Sequence, residues 1–84
     1  MALADEFVAV LRRAAAPDGP PIRDVGAWCA ANGPRARESE GMALRQAMQT
    51  AIVIVRRHER GTIGETEARA ALADLVRRYG LGGG

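Results

Sequence analysis

Thr50-Ala51-Ile52-Val53-Ile54-Val55 is the stretch on which the fold turns, because a run this rich in β-branched side chains suits a buried strand as well as an apolar helix. A strand needs a pairing partner. No second β-like run occurs in the 84 residues, and a lone strand would leave its backbone N–H and C=O groups unsatisfied. The flanks point the other way: Ala43-Leu44-Arg45-Gln46-Ala47-Met48 before it and Arg56-Arg57-His58-Glu59 after it are good helix formers. The sequence therefore predicts one long helix, starting near Pro34 or Ser39 and closed by Gly61, at the centre of an all-α, four-helix bundle-like domain.

Outward from this third helix, the rest of the chain reads as helices too. Leu3, Phe7, Val10, Leu11 and Ala14 recur at helical spacing, with Asp5-Glu6 in the first turn and Arg12-Arg13 in the last, before Pro17-Asp18-Gly19 stops the run. Pro20 and Pro21 suit the first positions of a second helix whose stripe is Ile22, Val25, Trp28 and Cys29, ended by Asn32-Gly33-Pro34. A fourth helix places Ala68, Leu72, Leu75, Val76 and Tyr79 on one face and closes at Gly80. Its start is predicted at Gly64, with Ile63 and Ala68 as a hydrophobic staple and Glu67 at the third helical position; Thr62-x-x-Glu65 competes as a capping box one turn earlier. Residues 1–81 form one domain in this reading, and Gly82-Gly83-Gly84 is expected to be a disordered tail.

Composition limits what such a domain does. Seventeen of its hydrophobic residues are Ala, which leaves 23 larger side chains and a thin core. All twelve cations are Arg, a pattern of high-GC coding, and they exceed the ten carboxylates by only two. Arg12-Arg13, Arg56-Arg57 with Arg60, and Arg77-Arg78 fall at predicted helix ends, where the helix dipole favours cations, so the basic pI is not a phosphate-binding footprint. No uncharged run, Gln46 to Val55 included, comes near the ~20 apolar residues of a membrane span. Asp5 and Glu6 stand where a signal or transit peptide carries cations, and the expectation is a cytoplasmic protein without membrane partners.

No constellation for chemistry emerges. Cys29 is the single cysteine and His58 the single histidine, so neither a disulfide nor a Cys/His metal site can be assembled, and no cofactor is expected. Cys29 lies on an apolar stripe, and His58 sits at a helix end beside Arg57 and Glu59. Ser39, the only serine, lies between Glu38 and Glu40, where it is not activated for attack; it reads as a helix-start cap. The Asp-Ser-Leu context of an acyl carrier protein's serine is missing.

The third helix holds the one feature that a folded monomer does not need. With Leu44 at the centre of the core face, Ala47, Met48, Ala51, Ile52, Ile54 and Val55 join it, while Met42, Gln46, Gln49 and Val53 point to the opposite side. That seam is uncharged, whereas a solvated helix face normally scatters ionic side chains. The helices around it would cover it in a wrapped bundle; otherwise it is a contact surface. The expected function is a non-enzymatic protein–protein interaction or adaptor module that self-associates, as a homodimer, through Met42, Gln46, Gln49 and Val53, with Arg56, Arg57 and Arg60 as a polar rim. The alternative is a DNA-binding regulator with a helix-turn-helix in residues 20–45, contacting nucleic acid through Arg35 and Arg37. Against it stand Glu38 and Glu40 in the same turn, which repel phosphate.

Overall fold

The structure is a computed structural model describing residues 2–38 and 41–81, and all of the regular structure among the described residues is helical. In chain order the elements are α1 (Leu3–Ala15), α2 (Ile22–Ala31), α3 (Gly33–Glu38), α4 (Met42–Glu59) and α5 (Glu65–Arg78). Thr50 to Val55 lies in the interior of α4, whose neighbouring turns supply the backbone partners a lone strand would lack.

Of the two expected starts of the third helix, the later one, near Ser39, is nearer to the observed Met42, and residues 33–38 form a helix of their own, α3. α3 follows α2 with a single residue between them: Asn32 is the C-cap of α2, its side-chain amide donates to Trp28 O at 2.9 Å, and its own carbonyl accepts from Ala36 N–H at 3.0 Å. Gly41 takes an extended conformation and caps α4. The cap expected of Ser39 lies outside the described residues, as does the tail at 82–84.

The four longer helices meet in a ring, α1 against α2, α2 against α4, α4 against α5 and α5 against α1. Of the two alternatives for the back of the long helix, full wrapping by the first, second and fourth helices is not what this ring provides. α4 packs on α2, α5 and, at its start, α3, while α1 lies across the core on α5 and α2. One cluster fills the middle, with Phe7 and Leu11 from α1, Val25 and Cys29 from α2, Leu44, Ala47, Met48, Ala51 and Val55 from α4, and Leu72 and Leu75 from α5. Small side chains let the helices approach closely. Gly26 of α2 sits against Val55, where an added Cβ would come within 3.1 Å of its Cγ1.

Trp28 departs from its expected burial. Its ring stacks on Phe7 with centroids 5.4 Å apart and planes 11° from parallel, but Phe7 occupies the interior and Trp28 is only half-buried at its edge. Pro21 likewise serves as the N-cap of α2 rather than as a helical residue, and Ile22 opens the helix.

Both predicted glycine stops hold. Gly61 and Gly80 have φ of 76° and 64°, the left-handed conformation that a Cβ disfavours. Each closes a Schellman motif: Thr62 N–H reaches Arg57 O and Gly61 N–H reaches His58 O after α4, while Leu81 reaches Val76 and Gly80 reaches Arg77 after α5. Gly64 is the N-cap of α5, with Ile63 packed against the core and Ala68 buried within it, which selects the staple register over the competing Thr62 box.

Candidate functional site on the outer face of the fourth helix

Core demands assign one side of α4. Leu44, Ala47, Met48, Ala51, Ile54 and Val55 are buried, Ile52 is partly buried at the margin, and the opposite side faces outward. On that side Met42 is 63% exposed and Val53 is 44% exposed, the two exposed large hydrophobic side chains among the described residues. Gln46 and Gln49 lie between them and are exposed as well. The structure thus brings all four seam residues onto one open helix face about three turns long. Arg56, Arg57 and Arg60 are exposed at its C-terminal end, where Arg60 is the C-cap.

The margin of the face is fixed by α5. Thr50 Oγ1 donates to Gln46 O at 3.0 Å and lies 2.9 Å from the Tyr79 hydroxyl, tying α4 to the end of α5. Between the two helices runs a shallow groove of about 570 Å³, floored by Val53, Ile54, Ala71 and Leu75 and edged by Arg57 and Arg78. Arg78 is also stacked over the Tyr79 ring at 5.5 Å, and Asp74 is paired with Arg77 along α5. The face therefore carries apolar and amide groups along its length and guanidinium groups at one end.

Arg35 and Arg37 lie elsewhere, on α3. Arg35 bridges to α1: its guanidinium donates to Glu6 Oε2 at 2.7 Å and Oε1 at 3.3 Å, and to Asn32 Oδ1 at 3.1 Å. Those bonds hold the Glu6 carboxyl below its usual range. Arg37 is exposed, and with the partly buried Arg45 it edges a cavity of about 220 Å³ above Cys29, Met48 and Ile52. α3 is six residues long, less than two turns, and the long α4 that follows it is committed to the core.

Cys29 and His58, which composition singled out, lie on different helices. Cys29 is buried, and loss of solvation pushes its thiol up to about 12. His58 is half-buried in the last turn of α4. Among the described residues no three His, Cys, Asp or Glu side chains are grouped to hold a metal ion, and no helix is long and apolar enough to cross a membrane.

Arg69, not among the expected site residues, is the one buried charged residue among those described, at 7% exposure. Its guanidinium donates to Ala14 O at 2.8 Å, Pro20 O at 3.1 Å and Gly19 O at 3.5 Å, so it satisfies the end of α1 and the loop into α2. Glu65 stands 3.7 Å from Nε, one turn earlier on α5. The available signal was its place beside Ala68 and one turn before Leu72, at the edge of a core stripe where a free cation is out of place.

No family model matches this chain, and no curated protein or solved structure among those compared with it does either.

Proposed function

We propose that this protein is a small, non-enzymatic helical interaction and assembly module of the cytoplasm that self-associates through α4. Met42, Gln46, Gln49 and Val53 form its contact seam, with Arg56, Arg57 and Arg60 at the rim. The observation that carries this reading is that the two most exposed large hydrophobic side chains stand on one uncharged helix face. Water-facing helices usually carry ionic groups there, whereas the positions of this seam are apolar or amide. The alanine-rich core supports it as well, because association adds apolar burial to a core with few large side chains. A helix-turn-helix is less well supported, since Arg35 is occupied by Glu6 and α3, which carries both Arg35 and Arg37, is only six residues long.

Val53→Glu tests the seam. An ionised carboxylate inside an apolar contact costs several kcal/mol, whereas on a solvated helix face the same change stays within about 0.5 kcal/mol. Light-scattering mass at high micromolar concentration should fall to that of the single chain in Val53→Glu and stay unchanged in Ala70→Glu, on the exposed side of α5. Equal masses for both variants and the parent protein would place any contact elsewhere.

A further inference from the structure

We propose that the second copy docks antiparallel, about a two-fold axis that crosses α4 between Gln46 and Gln49; this rests on the self-association reading and specifies its geometry. The seam residues are spaced by four, three and four positions, a pattern that reads the same from either end. It is also the alternating spacing by which one helix presents a continuous stripe to another. A two-fold axis perpendicular to the helix maps such a stripe onto itself, so Met42 of one copy meets the partner's Val53, and Gln46 meets the partner's Gln49. Apolar side chains face apolar side chains at both ends. At the centre, each amide finds a group that both donates and accepts.

Charge selects this orientation over the parallel one. Continuing the same spacing past Val53 brings Arg56 and Arg60 onto the stripe, and both are exposed. Parallel copies would stack Arg56 on Arg56 and Arg60 on Arg60 and would also align the two helix dipoles. In the antiparallel pair the two Arg56 positions are ~25 Å apart along the axis at 1.5 Å per residue. That exceeds the ~10 Å screening length at 0.1 M salt. The arginine end of one copy then lies over the Gly41–Met42 end of the other, where α3 ends on Arg37 and Glu38, both exposed. A contact made by one helix face falls at the small end of specific interfaces, below ~1,200 Å² in total, which fits a reversible dimer.

Cysteine cross-linking reads the orientation directly, because the buried native Cys29, with its raised pKa, stays out of the reaction. Met42→Cys and Val53→Cys proteins are each oxidised alone and as an equimolar mixture, next to the parent protein. In the antiparallel pair, equivalent positions stand ~16 Å apart along the axis, too far for a disulfide that needs Cα atoms within ~7 Å. The expected result is a covalent dimer in the mixture, several-fold above either variant alone. Efficient cross-linking of Met42→Cys or Val53→Cys with itself would establish a parallel pair and overturn the antiparallel geometry while leaving self-association intact. A dimeric mass with no cross-link in any sample would overturn both geometry and seam, and a monomeric mass for all proteins would overturn the underlying reading.

Discussion

Arg69 shows how one residue joins parts of the chain that sequence keeps far apart. Its guanidinium bonds the carbonyls of Ala14 and Pro20, 55 and 49 positions away, and thereby anchors α5 to the α1–α2 corner. Arg69→Met keeps the aliphatic stem but removes the donors, leaving those carbonyls without partners, and should lower stability by ~2 kcal/mol in chemical denaturation. An unchanged midpoint would mean that water replaces the guanidinium. Glu6 and Arg35 form a second long-range link, this one at the surface between α1 and α3. Because the bonded carboxyl titrates below its usual value, the pair's stabilisation is present above the ordinary glutamate range and is lost as pH falls through the lowered pKa. Arg35→Ala should return Glu6 to the ordinary range in an NMR titration. A midpoint unmoved by the substitution would show that the pair does not persist in solution. Neither link was legible in the sequence, since nothing in local periodicity tells a helix-end arginine which distant carbonyl or carboxylate it will reach.

At the scale of elements, stops were the most readable features and starts the least. Gly61 and Gly80 were legible as helix ends because only glycine adopts their left-handed conformation without strain, whatever the tertiary surroundings. The separation of α3 from α4 was not, because good helix formers on both sides conceal the break between Glu38 and Met42, where Gly41 is extended. The same substitution should act with opposite sign at two glycines. Gly61→Ala forces a Cβ into positive φ and should cost ~1 kcal/mol. Gly33→Ala, within α3 at negative φ and with nothing closer than Arg37 Nη1 at 3.9 Å, should stabilise by ~0.5 kcal/mol through the unfolded chain. Thermal melts of the two variants check this pair, and shifts of the same sign would contradict the assigned backbone conformations.

For the whole molecule, the all-α class and the faces of α4 were legible, because a 3.6-residue period places Leu44 and Val53 on opposite sides whatever packs around them. Which helices surround α4 was not legible. That depends on how α1 crosses to α5, and the periodicity of an amphipathic helix says which face is buried but not against what. This is also why the sequence left two fates open for the seam. The fold leaves Met42, Gln46, Gln49 and Val53 uncovered, so the exposed face is available to a second copy. The most direct measurement is sedimentation equilibrium of the unmodified protein from low micromolar to near-millimolar concentration. The mass should climb from the 8.9 kDa of one chain toward twice that value with a single reversible association constant. A mass fixed at 8.9 kDa throughout the range would contradict self-association through α4.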